Sequence, residues 1–357
     1  MNELDIAPQL RGLSFDGEKG EIVVFQEDLK DCELSCSAEE LAEKFQKGVR
    51  SVYVEGMGGF LLGEDYDDAL NGTNNAPKRS GRAAVVNNKV CVVTGGAQGF
   101  GEGIVKELIA EGALVFVADL NVEGAQRLAD ALNAEAGRTV AFGVAVNVSD
   151  EESVQAMVNE IVRKVGGIDL FVSNAGVLKA GSVKEMQLRD FKFVTDVNYI
   201  GFFLCTKHVA PVMEKMNQPS GNYYTDIVTI SSKSALEGSN KNGAYAGSKF
   251  GSVGLVQSFA KELVADNTKV NTVCPGNFFD GPLWSDPERG LFVQYLNTGK
   301  VPGAESIADV KAFYEAQVPM NRGCFPSDVA RAILYSMEQK YETGQAIPVT
   351  GGQVMLN

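Results

Sequence analysis

The feature that most constrains the fold is an alternation, from residue 87 onward, between short apolar runs and longer amphipathic stretches. Seven runs rich in β-branched residues recur, at Val90–Val93, Leu114–Ala118, Val140–Val146, Leu170–Val172, Ile227–Ile230, Lys269–Val273 and Ala346–Val349. Strands that are apolar on both faces and alternate with helices form parallel sheets that are covered on each side. The sequence therefore predicts an α/β fold of the Rossmann type, a doubly wound parallel sheet with helices on both faces.

The residues that precede this pattern differ in composition. Residues 1–85 contain 17 acidic and 9 basic side chains. Their net charge is therefore −8, out of −14 for the whole chain. The stretch Asn71–Ala84 is rich in Asn, Gly, Pro and Ser, the composition of a linker. We therefore predict a small acidic α+β extension over residues 1–70, a linker over 71–86 and one dehydrogenase-sized domain over 87–357.

Within the extension, the pattern predicts two strands, Glu21–Phe25 and Ser51–Glu55, on either side of a helix over Ala38–Lys47. Ser37 and Glu40 have the spacing of a capping box for that helix. The glycines of residues 56–63 are interpreted as turns. One helix and two strands bury too little apolar surface to be stable alone, so we expect the extension to dock on the rest of the protein or on a neighbouring subunit.

Composition excludes several classes of function. The only histidine is His208, which excludes HExxH proteases and multi-histidine metal sites and argues strongly against Ser-His-Asp triads and zinc deaminases, so no metal site is expected. A net charge of −14 argues against nucleic-acid and anionic-membrane partners. No run reaches the roughly 20 apolar residues of a membrane span, and no signal peptide is evident. Six cysteines without a CxxC pair indicate reduced thiols in a cytoplasmic protein.

A glycine-rich turn lies between the first apolar run and a helix-like stretch at Glu102–Glu111. It reads Thr-Gly-Gly-Ala-Gln-Gly-Phe-Gly over residues 94–101. Glycines permit a sharp turn and a close approach of pyrophosphate to the backbone, and the helix N-terminus attracts the phosphates. The next strand ends in Asp119, whose carboxylate accepts hydrogen bonds from ribose hydroxyls and repels a 2′-phosphate. The turn therefore predicts a dinucleotide site that prefers NAD to NADP.

Further motifs follow in a fixed order. They are Ser-Asn-Ala-Gly at 173–176, Asn198, Ile-Ser-Ser at 230–232, a YxxxK at 245–249 and Pro-Gly at 275–276. Together with the TGxxxGxG spacing, this set resembles the short-chain dehydrogenase/reductase family over about three quarters of the chain. The resemblance implies a catalytic tetrad of Asn198, Ser232, Tyr245 and Lys249. Ser232 is preferred to Ser231 because the catalytic serine of the family is usually the second of the pair.

The chemistry explains why these residue types occur together. Hydride transfer between an alcohol carbon and nicotinamide requires a proton to leave or reach the oxygen, and a tyrosinate can accept it. A free tyrosine has a pKa near 10, and Lys249, one helical turn from Tyr245, favours the phenolate. By resemblance, Ser232 orients the substrate oxygen and Asn198 holds a water behind Lys249.

The resemblance also implies the residues of an NAD site. They are Gly95, Gln98, Gly99, Phe100, Gly101, Asp119, Leu120, Asn147, Val148, Asn174, Ala175, Gly176, Tyr245, Lys249, Pro275, Gly276 and Phe278. Two positions depart from the family pattern. Asn147 replaces a common aspartate beside adenine, and Phe278 is bulkier than the usual aliphatic residue at the nicotinamide.

Several segments resemble the family's dehydrogenases of sorbitol 6-phosphate in particular. They are residues 232–234, 238–245, 249–251, 318–324 and 350–355. The resemblance implies oxidation of a polyol, or of its phosphate, to a ketose. The candidate substrate residues are the cations Lys233, Lys241 and Arg322, which suit a phosphate, together with Asp280 and Trp284.

Three alternatives stay open at this point. Asp280 and Trp284 belong to a predicted lid over Asn277–Tyr314, in which aromatic side chains suit either a sugar face or ordinary core packing. The substrate is a phosphorylated polyol, an unphosphorylated sugar or another secondary alcohol. A non-catalytic NAD-binding regulator or scaffold is the other class of function. The family resemblance further implies a homo-oligomer, a tetramer or dimer, formed through the helices that carry Asn198 and Tyr245 and through the C-terminal segment.

The extension has a fainter similarity. Residues 49–60 resemble the late strand and turn of class II sugar-phosphate aldolases. Because the zinc-binding histidines of those enzymes are absent, aldolase chemistry is not expected, and we assign the extension a vestigial or assembly role.

Overall fold

The computed structural model describes residues 1–288, 290–297, 299 and 301–355. The last two residues of the predicted dehydrogenase domain, and residues 289, 298 and 300 of the predicted lid, lie outside this description. The extension folds into three helices and a four-stranded sheet of order β1-β4-β3-β2. Its elements are α1 (Glu3–Leu13), β1 (Ile22–Gln26), β2 (Leu34–Cys36), α2 (Leu41–Lys44), β3 (Ser51–Val54), β4 (Gly58–Gly63) and α3 (Tyr66–Asn71).

The predicted parallel sheet follows a 3₁₀ turn at Gly81–Ala84. Each of the seven apolar runs forms one of its strands, and all neighbouring strands are parallel, in the order β11-β10-β9-β8-β5-β6-β7. The doubly wound fold is therefore confirmed. The strands are β5 (Val90–Thr94), β6 (Leu114–Asp119), β7 (Ala141–Ala145), β8 (Leu170–Ser173), β9 (Thr225–Ile230), β10 (Thr268–Pro275) and β11 (Ala346–Val349).

Helices cover both faces of this sheet, because its strands are apolar on both sides. The helices are α4 (Gly99–Ala110), α5 (Val122–Ala136), α6 (Glu151–Val165), α7 (Leu188–Thr195), α8 (Gly201–Asn217), α9 (Gly243–Leu263), α10 (Pro282–Ser285), α11 (Leu291–Asn297), α12 (Ile307–Ala316) and α13 (Pro326–Glu338). In β5, Val90 and Val92 face the core beneath α6, α8 and α9, whereas Cys91 and Val93 face the core beneath α4, α5 and α13.

The extension adds a third layer outside α6 and α8. Leu10, Val23 and Phe60 belong to the same buried cluster as Val158 and Met216, and α1 packs on both helices. The prediction that the extension docks on the dehydrogenase domain is confirmed. Its core is continuous with that of the sheet.

A buried ion pair fastens α1 at the base of the sheet. The guanidinium of Arg11, which is fully buried, donates to Asp169 at 2.5 Å and to the carbonyl of Glu21 at 2.8 Å. Asp169 precedes β8 and also accepts from the hydroxyl of Tyr223 at 2.5 Å and the amide of Val90 at 2.7 Å. The extension thus supplies the counter-charge for a carboxylate inside the dehydrogenase domain.

Two predictions for the extension were only partly correct. The helix predicted over Ala38–Lys47 is confined to α2, because Phe45 is extended and packs against the core. Ser37 forms half of the capping box, its amide donating to the Glu40 carboxylate at 3.2 Å. Gly56 lies in a turn between β3 and β4, as predicted, but Gly58, Gly59 and Gly63 belong to β4. A methyl group on Gly63 would lie 2.3 Å from the amide nitrogen of Ala69, so glycine serves here for close packing against α3.

The predicted lid, α10 to α12, has a small core of its own that includes Phe279, Trp284, Phe292 and Val310. The six cysteines are all free thiols. Among the described helices, none combines the length and apolarity needed to cross a bilayer.

Candidate active site

The glycine-rich turn joins β5 directly to α4. Gly95 has a φ of +62°, which favours glycine. A methyl group on Gly101 would lie 2.0 Å from the carbonyl oxygen of Gly95, so a side chain does not fit there. The side-chain amide of Asn174 donates to the carbonyls of Thr94 and Gly95 at 2.9 and 3.2 Å. The turn is therefore held open at the start of α4, whose first amides have no partner within the helix.

Asp119 lies at the rim of this turn. Its carboxylate accepts hydrogen bonds from the amides of Ala97 at 3.0 Å and Asn121 at 2.9 Å, and the residue is half-buried. These bonds fix a negative charge beside the turn, at the carboxyl end of β6. The residues present fit a dinucleotide, with a glycine cradle for the pyrophosphate and a carboxylate for the ribose.

The other predicted cofactor residues lie at the same edge of the sheet, because the carboxyl ends of parallel strands coincide. Phe278 follows β10, and its ring centre is 4.9 Å from that of Phe100 on α4. Asn147 accepts hydrogen bonds from the amide and hydroxyl of Ser149, and Leu120 is largely exposed. Their individual roles stay predictions. The rest of the set is Gln98, Gly99, Val148, Ala175, Gly176, Pro275 and Gly276.

Asn198 of the predicted tetrad lies in a π-helical turn at Asp196–Ile200, between α7 and α8. Such turns often mark functional positions, because they shift side chains out of the helical register. The Asn198 amide donates to the carbonyl of Val177 at 2.9 Å and to the hydroxyl of Ser248 at 3.1 Å, and accepts from the Val177 amide at 2.8 Å. Its orientation is therefore fixed.

Tyr245 and Lys249 lie one turn apart near the start of α9. The Lys249 ammonium is 5.7 Å from the centre of the Tyr245 ring and donates to the carbonyl of Ile230 at 2.8 Å. A methyl group on Gly176 would lie 3.4 Å from the amide oxygen of Asn198 and 3.6 Å from the Lys249 ammonium. Asn198 and Lys249 thus line one small space.

The two serines of the pair face different ways. Ser231 is buried, and its hydroxyl contacts the Lys249 carbonyl at 3.3 Å and the Ser252 hydroxyl at 3.2 Å. Ser232 is half-buried and interacts with the Tyr245 hydroxyl. This geometry favours Ser232 as the residue that orients a substrate.

Burial shifts the pKa values of Tyr245 and Lys249. It raises the pKa of Tyr245, while the Ser232 hydroxyl acts in the opposite direction. Burial also lowers the pKa of Lys249 to about 8. Lys249 is therefore mostly protonated at neutral pH, and its positive charge is available to favour the phenolate.

The structure separates the five substrate candidates. Arg322 is paired with Asp328 at 2.6 Å, and Asp280 with Lys311 at 2.6 Å. Trp284 is 7% exposed and packs on Phe279, Phe292, Tyr295 and Tyr314, as ordinary core packing requires. Lys241 is exposed, and its carbonyl accepts from the Gly181 amide.

Lys233 directly follows Ser232. It is half-buried, and burial lowers its pKa. Among the described residues no hydrogen bond or ion pair occupies its ammonium. It is therefore the candidate cation that is both close to the tetrad and available to a ligand.

Two supporting residues were not predicted from the sequence. The hydroxyl of Thr94 accepts from the amides of Asn174 and Ala175 at 3.0 and 3.1 Å, and so joins β5 to β8 beneath the predicted cofactor site. Ser248 links Asn198 to the Tyr245 carbonyl, to which it donates at 2.7 Å. Thr94 lies inside the glycine-rich motif and Ser248 inside the YxxxK motif, so these motifs were the signal from which both residues could have been predicted.

Comparisons with known proteins agree with this geometry. The profile of the short chain dehydrogenase family matches residues 89–284. Sorbitol-6-phosphate 2-dehydrogenase of Escherichia coli K12 is 35% identical over 270 residues, which are 75% of this chain and 99% of that protein. A 3-oxoacyl-[acyl-carrier-protein] reductase of Thermotoga maritima is 32% identical over 269 residues, 75% of this chain and 98% of that protein.

A comparison with solved structures agrees with these sequence matches. The crystal structure of sorbitol-6-phosphate 2-dehydrogenase from Erwinia amylovora matches with a TM-score of 0.68 and 36% identity, covering 74% of this chain and 100% of that one. Because these relatives are matched over nearly their full length, the extra quarter of this chain is additional to them. The chain belongs to the short-chain dehydrogenase family and is an oxidoreductase that acts on CH–OH groups.

Proposed function

We propose that the protein is an NAD-dependent dehydrogenase that interconverts a polyol phosphate and its ketose phosphate. The observation that carries the phosphate assignment is the unpaired ammonium of Lys233, half-buried and adjacent to Ser232. Burial destabilises this cation more than the charge of Glu237 stabilises it, so a bound anion would provide the charge-assisted hydrogen bond that it lacks. The names of the two sorbitol-6-phosphate relatives support the same substrate class.

The residues of the tetrad divide the work. Ser232 donates a hydrogen bond to the substrate oxygen and aligns it with Tyr245. Tyr245, as the phenolate, accepts the proton of the substrate hydroxyl while the hydride leaves the carbon that bears this hydroxyl. The positive charge of Lys249 stabilises the phenolate, and Asn198 lines the small space next to the Lys249 ammonium. Bound NAD⁺ would supply the hydride acceptor.

A substrate panel tests the proposal. NADH formation should be measured with sorbitol 6-phosphate, other hexitol phosphates and the free hexitols, each with NAD⁺ and NADP⁺. We expect the highest kcat/KM with a polyol phosphate and NAD⁺. A preference for unphosphorylated alcohols contradicts the phosphate assignment, and NAD binding without turnover of any substrate favours a regulator.

Replacing Lys233 by Gln should raise KM for a polyol phosphate at least tenfold, since a charge-assisted bond to phosphate contributes about 1.5–3 kcal/mol. The KM for the corresponding free polyol should change less than threefold. Lys261→Gln, an exposed change near the far end of α9, serves as the control. An equal loss with both substrates would contradict a phosphate contact.

Replacing Asp119 by Ala should reduce the preference for NAD over NADP. The carboxylate repels a 2′-phosphate and accepts ribose hydroxyls, so its loss should lower the ratio of kcat/KM values about tenfold or more. Asp130→Ala, an exposed change on α5, provides the control. An unchanged ratio would contradict the role of Asp119.

We also propose self-association in the cytoplasm. The helices that carry the tetrad expose Phe191, Ile200, Phe203 and Phe250, each between 38% and 46%. An apolar face of this kind is typical of contacts between subunits. The location in the cytoplasm rests on the free cysteines and the acidic surface.

A further inference from the structure

The side-chain amide of Asn198 uses nearly all of its hydrogen-bonding capacity. Its Nδ2 group donates to the carbonyl of Val177 at 2.9 Å and to the hydroxyl of Ser248 at 3.1 Å, while its Oδ1 atom accepts from the Val177 amide at 2.8 Å. A primary amide has two donor hydrogens and an oxygen with two lone pairs. Both hydrogens are therefore occupied, and Asn198 can offer only the second lone pair of Oδ1 to another group.

The Oδ1 atom of Asn198 and the ammonium of Lys249 border the same small space. A methyl group on Gly176 would lie 3.4 Å from this oxygen and 3.6 Å from the ammonium. Lys249 carries three N–H groups, and among the described residues its one hydrogen-bond acceptor is the carbonyl of Ile230 at 2.8 Å. The space therefore has a spare acceptor on one side and spare donors on the other.

Ser248 joins the turn that carries Asn198 to α9. It is 5% exposed, and its hydroxyl donates to the carbonyl of Tyr245 at 2.7 Å. Because a hydroxyl has a single hydrogen, Ser248 can only accept from Asn198. In the part of the chain that the structure describes, this is the one hydrogen bond between the turn at Asp196–Ile200 and α9. The bonds to Val177, in contrast, connect Asn198 to the segment that follows β8.

A bond from a serine hydroxyl to the carbonyl three residues earlier is not by itself a sign of function, because it satisfies the hydroxyl inside a helix. Ser252 donates in this way to the carbonyl of Lys249 at 2.7 Å. Ser336 does so to the carbonyl of Ile333 at 2.8 Å, and both serines are buried. Ser248 differs from these two because its oxygen also accepts from a residue of the tetrad.

We propose that Ser248 is a positioning residue of the reaction, an inference that rests on the proposed function of the tetrad. By accepting the second N–H of Asn198, Ser248 holds the amide in place relative to α9, so that Oδ1 stays beside Lys249. The partial negative charge of this oxygen favours the charged form of Lys249, which in turn stabilises the phenolate of Tyr245. Ser248 acts through these side chains and not on the reacting atoms.

A double-mutant cycle in the full chain tests the proposal, with NAD⁺ and the alcohol that the wild type oxidises fastest in the substrate panel. Ser248→Ala should lower kcat about tenfold, since a misplacement of about 1 Å can cost about a hundredfold in rate. The KM of the alcohol and the affinity for NAD should change less than about twofold. In an Asn198→Ala background, Ser248→Ala should lower kcat less than about twofold further, because the group that it positions is already absent.

Two further variants separate positioning from stability. Ser336→Ala removes the matched bond on α13, beside Lys269 at the start of β10. Ser336→Ala and Ser248→Ala should lower the melting temperature by similar amounts, less than about 5 °C, but Ser336→Ala should keep kcat within about twofold of the wild type. Ser248→Thr keeps a hydroxyl that can make both bonds, so its kcat should be at least about three times that of Ser248→Ala.

Three results would overturn the proposal: an unchanged kcat in Ser248→Ala, an equal loss from Ser248→Ala with and without Asn198, or no recovery in Ser248→Thr. Each of these leaves the proposed function intact if the wild type oxidises the alcohol and Asn198→Ala is impaired. A wild type that oxidises no alcohol of the panel overturns the proposed function together with this inference. An unchanged kcat in Asn198→Ala removes the role of Asn198, and the inference fails with it.

Discussion

Tyr245→Phe should reduce kcat by about a thousandfold or more, because general acid–base catalysis contributes about 10²–10⁴ in rate. The substitution removes one hydroxyl and leaves the ring that packs beside Lys249. The affinity for NAD, measured by calorimetry, should change less than about twofold, since the glycine-rich turn and Asp119 are untouched.

The pKa directions explain why this hydroxyl depends on its neighbours. Burial raises the Tyr245 pKa, so a phenolate forms near neutral pH only if positive charge at the site lowers it again. The Lys249 ammonium provides that charge. Tyr199→Phe, the same chemical change on the turn that bears Asn198, is the matched control and should retain near-normal activity. A rate near that of the wild type in Tyr245→Phe would contradict the mechanism.

Arg11→Met should lower the free energy of unfolding by about 3–5 kcal/mol, although Arg11 lies in the extension. Removing one partner of a buried ion pair leaves the other charge uncompensated. Burial opposes the charge of Arg11, but Asp169 and Tyr223 together outweigh burial and raise the pKa of the guanidinium. The Tyr223 hydroxyl and the Val90 amide would remain as the donors to Asp169.

Urea unfolding, with the slope m compared between variants, measures this change. Arg163→Ala removes the partner of Glu3 in another contact between α1 and α6, at 3.0 Å but partly exposed. It should cost less than about 1 kcal/mol. The double variant Arg11→Met with Asp169→Asn should recover part of the loss, because it removes the uncompensated charge. A cost for Arg11→Met no greater than that of Arg163→Ala would show that the buried pair does not hold the extension.

The extension shows where interpretation of the sequence was incomplete. One helix and two strands were predicted, and the structure has three helices and a four-stranded sheet. The glycines of β4 suggested turns, but Gly63 allows α3 to approach the sheet closely. A glycine that serves close packing and one that serves a turn have the same letter, and only the neighbouring element distinguishes them.

The substrate residues show a second limit. Lys233, Lys241 and Arg322 were equivalent as cations in the sequence. In the structure Arg322 is neutralised by Asp328, while Lys233 has no such partner among the described residues. Trp284 suited a sugar or a core equally, and four aromatic neighbours place it in the core of the lid. Pairing between distant side chains is not visible in local spacing.

The sequence by itself determined the parallel sheet and the glycine-rich turn, and its resemblance to the family implied the tetrad residues. Some properties of a sequence are local and restrict the backbone directly. They include the periodicity of apolar residues, the spacing of glycines and the one-turn separation of Tyr245 and Lys249. Only the tertiary structure decided that Arg11 neutralises Asp169, 158 residues away, and that the extension shares the core of the sheet. Those outcomes depend on which buried charges and apolar faces meet after folding, because desolvation makes each of them costly without a partner.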